Sequence, residues 1–487
     1  MNESSRHIHL IGICGTAMAS LAGLLQLEGH RITGSDKAAY PPMSDLLHSL
    51  NIPVLEPYAE SNLSPHPDLV VIGNALSRGN PEIEYVLDQR IPFTSMAALL
   101  REEFLSKPTP RGRDSLVVAG THGKTTTTSM LAWIYQCASV ADAALEPSFL
   151  IGGVAENFST SFQLCPTRTF IVEGDEYDTA FFDKGPKFLH YFPDALILTS
   201  VEFDHADIYA DLAAVKTAFR RLVNLVPRRG LIVAYDANPN VTECLEPALC
   251  RVQRYGFSPS AHWRMSNLRH EDGLTRWDLD CDNSPWARIE LPLAGEHNAL
   301  NATAAAALAF GQGIPKVSIL TALASFKSVK RRLEVRAVIG GITLIDDFAH
   351  HPTAIRETLR ALRAVYPSSR LWAILEPRSN TLRRKVLEAD LVASLRLADR
   401  VVLAGVYQQQ RIPDAERLHP EDVVQALNAS AIPGENPKAE LHPDADAIVQ
   451  AITPQLAPGD VVAILSNGGF DGIYDKLPAA LSARFPT

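Results

Sequence analysis

The stretch Ser115-Leu-Val-Val-Ala-Gly-Thr-His-Gly-Lys-Thr-Thr-Thr-Thr128 dictates a strand, a tight turn and a helix in immediate succession. Leu116 to Ala119 is an apolar β-run, and the turn opens into a helix at Lys124. Gly120 and Gly123 let the backbone approach closely and tolerate positive φ. The free N–H groups of the helix start then point at an anion. Lys124 adds a full charge, and the Thr125 hydroxyl stands where a phosphate loop places a magnesium ligand. The strict pattern asks for glycine where this chain has Val118, so the loop is a compressed variant. Strand, turn, lysine and hydroxyl fall in register for a nucleoside triphosphate. A merely solvated lysine on an ordinary turn does not account for that register.

With 487 residues the chain has room for about three domains of ordinary size. Residues 7–104 alternate strands and helices: a strand from His7 to Ile13, a helix to Glu28, a strand from Arg31 to Gly34, a helix over Ser44 to Leu50, a strand from Asp68 to Gly73. Such alternation builds a parallel, doubly wound sheet. Ser106 to Asp114, with its prolines, glycine and charges, reads as a linker. A second unit has strands at Leu116–Ala119, Phe170–Glu173, Leu196–Val201 and Leu231–Tyr235. It continues in a small β excursion over Arg251 to Pro292 and an alanine-rich helix over Asn298 to Phe310. A third has strands at Leu333–Ile339, Ile342–Asp346, Leu371–Leu375, Arg400–Leu403 and Val461–Leu465. It reads as another open parallel sheet, whose ligands sit at the carboxyl ends of its strands. The expected fold class is α/β in three domains: Rossmann-like over 1–108, phosphate-loop ATPase-like over 114–328, and Rossmann-like α/β over 329–487.

Gly12-x-Cys14-Gly15-x-Ala17 lies between the first strand and helix, with Asp36 further on. This arrangement suits a nucleotide diphosphate at a helix N-terminus, with a plain structural turn as the alternative reading. Ala17 replaces the last glycine, so an NAD-dependent oxidoreductase is the weaker reading, and it leaves the phosphate loop without a role. Glu173 ends a strand just before Gly174-Asp175-Glu176, a position from which a carboxylate holds magnesium beside phosphates. His205 follows another strand within Glu202-Phe-Asp-His-Ala-Asp207. Asn298 and Asn301 are good capping types at the start of the alanine-rich helix. Lys330-Arg-Arg-Leu-Glu334 is a basic cluster, and Leu344-Ile-Asp-Asp-Phe-Ala-His-His-Pro352 ends a strand in two aspartates and two histidines.

Taken in order, Gly-Thr-His-Gly-Lys-Thr-Thr, Glu-Gly-Asp-Glu, Asp-His-Ala-Asp, Glu-His-Asn-x-x-Asn-Ala, Lys-Arg-Arg-Leu-Glu and Asp-Asp-Phe-Ala-His-His-Pro resemble the Mur ligase family. These are the ATP-dependent amide-forming ligases of bacterial peptidoglycan synthesis. The resemblance covers nearly the whole chain. The N-terminal His-Leu-Ile-Gly-Ile-Cys-Gly-Thr-Ala-Met looks like the branch that takes UDP-N-acetylmuramate. Val71 to Pro81, Leu375 to Thr381 and Leu465 to Ile473 are similar to members that attach the tripeptide L-alanyl-γ-D-glutamyl-meso-diaminopimelate in cell-wall recycling. The alternative in the same branch is L-alanine attachment in de novo synthesis. Several family members carry a carbamylated lysine at the place that Arg220 occupies here.

The resemblance implies a mechanism. The lactyl carboxylate of muramate attacks the γ-phosphate of ATP, giving an acyl phosphate and ADP, and the peptide amine then displaces phosphate. Gly120, Thr121, His122, Gly123, Lys124, Thr125 and Thr126 would hold ATP, together with Asn298, Arg332, Asp347 and His350. Thr125, Glu173 and His205 would hold Mg²⁺, and Lys124, Glu173, His205 and Arg332 would carry catalysis. UDP-N-acetylmuramate would bind at Gly15, Thr16 and Ala17, with Ser35, Asp36 and Asn74 nearby. The cell-wall peptide would meet Arg378, Ser379 and Asn380. A hinge near Ser328–Arg331 would let the third domain close over ATP.

A net charge of −10 argues against a nucleic-acid partner. The chain has no run of about 18 apolar residues, so no membrane span is expected. Its polar start gives no secretory signal. The six cysteines form no CxxC pair and read as reduced thiols of a cytoplasmic protein, monomer or homodimer.

Overall fold

Each of three sheets in the computed structural model organises one stretch of the chain; the structure describes residues 5–39, 43–106, 113–429 and 438–486. Residues 107–112 of the expected linker lie outside the described residues. The first sheet is parallel, in the order Val54–Leu55, Arg31–Ser35, His7–Ile11, Leu69–Ile72, Phe93–Ser95. The strand order reverses beside His7–Ile11, which opens a crevice at the carboxyl ends. Gly12, at φ +82, turns the chain there towards the helix Thr16–Leu27.

The central sheet has ten strands. Six run parallel side by side: Arg251–Gly256, Leu231–Tyr235, Ala195–Leu198, Asp114–Ala119, Thr169–Gly174 and Ser148–Ala155. The middle ones are apolar and buried, as strands covered on both faces require. The expected β excursion is no separate unit. Trp263–Glu271 joins the same sheet parallel to Arg251–Gly256, and Leu274–Cys281 and Ser284–Leu291 continue from it as an antiparallel meander. Its Trp277 Nε1 donates to Thr303 Oγ1 at 3.1 Å, which seats the helix Glu296–Gly311 on the sheet.

The third sheet runs Glu334–Ile339, Ile342–Asp347, Val461–Leu465, Leu371–Leu375, Arg400–Ala404, Ala439–His442. The all-parallel expectation is corrected at its edge, where Glu334–Ile339 is antiparallel to its neighbour. Gly340 and Gly341, both at positive φ, close a two-residue hairpin there.

One apolar core runs through the first and central domains, joining Leu24 and Phe104 to Val117, Leu150 and Phe170. At this join the Phe162 ring lies over Gly23, where a Cβ would stand 2.1 Å from it. The third domain's cores draw only on residues from Leu333 onward. Val329 pairs with Ala155, and the Lys330 N–H donates to Val154 O at 3.1 Å. The chain therefore leaves the central sheet after Lys330, not at Ser328. Ser328, Arg331 and Leu333 have φ of 87°, 62° and 50°, a left-handed conformation that costs non-glycine residues energy.

Candidate active site

The helix Lys124–Ser139 starts straight after Gly123, which sits at φ +79. A Cβ on Gly123 would lie 2.5 Å from Asn301 Oδ1, and one on Gly120 would lie 2.1 Å from Thr199 Oγ1. Both positions therefore require glycine for space as well as for conformation. The Thr121 N–H donates to Ser200 O at 2.9 Å and the His122 N–H to Ser200 Oγ at 3.1 Å. These bonds pin the loop beyond the end of the strand Ala195–Leu198. Lys124 Nζ donates to Glu176 Oε2 at 2.7 Å and to the Gly120 carbonyl at 2.8 Å. Burial opposes the lysine charge, but Glu176 and Asp175 outweigh it and hold Lys124 above its ordinary pKa.

Glu173 accepts from Thr125 Oγ1 at 3.0 Å and from the Gly152 N–H at 2.8 Å. Burial raises its pKa against the pull of Lys124. A hydroxyl and a carboxylate side by side are the oxygen donors that magnesium takes, so this pair fits the ion. His205 stands at φ +55, and its Nε2 lies 3.1 Å from Glu176 Oε1. Burial disfavours its charge, but Glu176 and Asp204 raise it to about 9. A cation at His205 would have to replace the proton that it shares with Glu176. Glu176 thus bridges Lys124 and His205, a role that its place within Glu-Gly-Asp-Glu did not reveal.

A cavity of about 360 Å³ opens between the central and third domains. His122, Gly123 and Thr126 line it from the loop, Asn298 from the alanine-rich helix, and Arg332 and Asp347 from the third domain. Asp347 is fixed by the Leu333 and Ala349 N–H groups at 2.8 and 2.9 Å and by Thr358 Oγ1 at 3.1 Å. Tyr235, Tyr255 and His297 add aromatic walls. No local motif marks the two tyrosines; only the strand order brings them to this mouth.

A second cavity, of about 280 Å³, lies between the first and central domains. Gly15, Thr16, Ala17 and Asn74 line one side, and Glu173, Asp175, Lys187 and Tyr191 the other. Lys187 Nζ donates to Asp175 Oδ2 at 2.6 Å. Burial alone would raise the Asp175 pKa, but Lys187 and Lys124 hold it well below the usual carboxylate range. Lys187 carried no sequence signal.

Several expected site residues lie elsewhere. Ser35 is fully buried and donates to Glu82, so it does not reach the second cavity. Asp36 accepts the Cys14 N–H at 2.9 Å and the Tyr58 hydroxyl at 3.2 Å, and so holds the glycine turn rather than lining the cavity. His350 does not line the first cavity: its Nδ1 is 2.9 Å from Phe348 O and its Nε2 is 4.0 Å from Asp204. Ser379 Oγ donates to His350 O at 3.1 Å and accepts the Leu382 N–H at 3.1 Å, a structural use. Arg378 lies over the Tyr407 ring at 3.9 Å. Asn380 crosses to the central domain, donating to Asp207 Oδ2 at 2.7 Å and Tyr177 Oη at 2.8 Å. Arg220 donates to Glu246 Oε2 at 3.1 Å and to the Glu243 carbonyl at 3.3 Å, on the helix behind.

Further bonds cross the same interface. Thr353 Oγ1 donates to Glu202 Oε2 at 2.7 Å, His351 Nε2 meets Phe203 O at 3.2 Å, and the Ala206 N–H donates to Thr381 Oγ1 at 3.2 Å.

Three family models match the chain in domain order: "Mur ligase family, catalytic domain" over 7–107, "Mur ligase middle domain" over 118–309 and "Mur ligase, glutamate ligase domain" over 331–468. A UDP-N-acetylmuramate–L-alanyl-gamma-D-glutamyl-meso-2,6-diaminoheptandioate ligase of Escherichia coli is 41% identical over 98% of this chain and 98% of that protein. The chain belongs to the Mur ligase family. The crystal structure of a murein peptide ligase from Psychrobacter arcticus matches with a TM-score of 0.72 and 35% identity, covering 98% of this chain and 99% of that one. A UDP-N-acetylmuramate–L-alanine ligase of Acidithiobacillus ferrooxidans is 32% identical over 100% of this chain and 98% of that protein. As a Mur ligase, the protein is an ATP-dependent carbon–nitrogen ligase. Among the described residues, no helix is long and apolar enough to cross a membrane.

Proposed function

We propose that this Mur ligase joins L-alanyl-γ-D-glutamyl-meso-diaminopimelate to UDP-N-acetylmuramate through an acyl phosphate. One observation carries the reading: Glu173 lines the cavity shared with the first domain while bonded to Thr125 of the phosphate loop. An acid held in that cavity meets the phosphoryl donor at a single place. The two anions repel, and Lys124, Arg332 and the protonated His205 offset that repulsion. Fixed charges in a water-poor site are commonly the largest catalytic effect. Thr125 and Glu173 would hold Mg²⁺, which stabilises charge on a transferring phosphoryl group. Gly15, Thr16, Ala17 and Asn74 would hold the UDP-sugar. Orienting the acid against the phosphate supplies about 7–11 kcal/mol of barrier reduction in favourable cases. Docking of the third domain brings Arg332 and Asp347 to the nucleotide. A cytoplasmic reaction is supported by the UDP-sugar and ATP that it would consume.

Tripeptide over L-alanine is supported by the higher identity to the tripeptide ligase, 41% against 32%. It is also supported by the stretches at Val71 to Pro81, Leu375 to Thr381 and Leu465 to Ile473. The test is ADP release with UDP-N-acetylmuramate plus either peptide or free L-alanine. Turnover with L-alanine alone overturns the choice.

A further inference from the structure

We propose that His122, Glu202 and His351 form a zinc site that is complete only when the third domain is docked. His122 Nε2 lies 3.2 Å from Glu202 Oε2, and His351 Nδ1 lies 3.8 Å from the same oxygen. The three ligand atoms all fall within 4.8 Å of one another. Tetrahedral zinc with bonds of about 2.0–2.1 Å sets its ligands roughly 3.3 Å apart, so small side-chain shifts complete the site. Two imidazoles and a carboxylate with an open fourth position make a zinc donor set. Magnesium, which prefers oxygen, is directed instead to Thr125 and Glu173.

The surroundings already orient the ligands. His351 Nε2 is 3.2 Å from Phe203 O, to which it donates, and this leaves Nδ1 unprotonated, 3.8 Å from Glu202 Oε2. Zinc would take over the Nδ1 lone pair that now accepts the Thr353 N–H at 3.2 Å. Thr353 Oγ1 steadies Glu202 at 2.7 Å. His122 and Glu202 line the 360 Å³ cavity, which gives the ion an entry path. Two ligands belong to the central domain and one to the third. An ion that binds only the docked form must shift the population towards it.

The test uses the full chain, freed of metal and without nucleotide, titrated with zinc against a chromophoric chelator while X-ray scattering follows compactness. One zinc per chain and a more compact particle are expected. His351→Gln and His122→Gln should each weaken zinc binding by at least about tenfold. His351 caps a helix, so circular dichroism checks that its variant folds; His122→Gln leaves that cap intact. Glu173→Gln should leave zinc affinity unchanged. Failure to bind zinc, affinity unmoved by either histidine substitution, or affinity lost with Glu173→Gln overturns the site.

Discussion

Lys124 and His205 share one carboxylate: Glu176 takes the lysine at 2.7 Å on one oxygen and the histidine at 3.1 Å on the other. Asp175 adds to the field at Lys124 and Asp204 to that at His205, so both cations stay charged at the mouth of the phosphate loop. An incoming polyphosphate and carboxylate require such positive donors. Glu176 is nearly inaccessible, with 2% of its side chain exposed, so its charge acts through little water.

Glu176→Gln should therefore release His205. The imidazole loses the partner that raises it to about 9 and falls towards its ordinary 6.5. Stability from a raised histidine is present below the ordinary value and is lost as pH rises through the raised one. In the variant, the alkaline limb of kcat/KM moves down towards neutrality. Phosphate release at pH 8 should drop by about 10²-fold, the scale of losing one electrostatic contact at a reacting group. An unmoved pH profile would show that Glu176 does not set the His205 charge.

The parts of the site that were legible in the sequence were those packed into one local segment. Gly120 to Thr126 needed only a strand, a turn and a helix start, and the loop lies where that pattern placed it. Glu176, Lys187 and Tyr235 come to the site through strand order and the Asp178–Pro186 hairpin, which no spacing records. Ser35 and Asp36 illustrate the opposite failure. Ser35 ends the right strand and Asp36 follows it, but one faces inward to Glu82 and the other ties down the Cys14 turn. Alternation along a strand shows that neighbours point to opposite faces, not which face holds a ligand. The edge strand Glu334–Ile339 breaks the β-α-β rhythm because Gly340 and Gly341, both at positive φ, fold it back antiparallel on its neighbour.

Gly23→Ala should test the join between the first and central domains. The new methyl would stand 2.1 Å from Phe162 Cζ, inside an apolar core that both domains share. Overpacking of this kind costs about 1–3 kcal/mol. A lowered thermal midpoint, partly restored by adding Phe162→Leu, is the expected outcome. Gly23→Ala without effect would mean that the helix Thr16–Leu27 slides freely on the central sheet.

Acid should undock the third domain. His351 is held at about 4, below the ordinary 6.5, so its contribution to docking is full above 6.5 and is lost as pH falls towards 4. Glu202 is held at about 2, against the effect of burial, chiefly by His122, and stays ionised through that window. Protonating His351 Nδ1 also displaces the Thr353 N–H that it accepts at 3.2 Å. X-ray scattering should show a larger particle at pH 5 than at pH 7. In His351→Gln the difference between these two pH values should shrink.

Asn380→Ala should loosen the same interface from its other end. Asn380 donates to Asp207 at 2.7 Å and to Tyr177 at 2.8 Å, two bonds between the third and central domains. A hydrogen bond contributes about 0.5–1.5 kcal/mol net, so the pair holds docking by roughly 1–3 kcal/mol. The third domain keeps its own apolar cores, so it should remain folded while spending less time docked. Arg332 and Asp347 then reach the nucleotide in a smaller fraction of molecules. Since each 1.4 kcal/mol is about tenfold in an equilibrium, kcat/KM should fall by roughly five- to a hundredfold, with the far-ultraviolet spectrum unchanged. Asn380→Asp separates this account from a direct peptide contact. A carboxylate beside Asp207 repels across the interface, so the variant should dock more weakly than the alanine variant. Activity equal to the parent in Asn380→Asp would mean that this clasp does not govern closure.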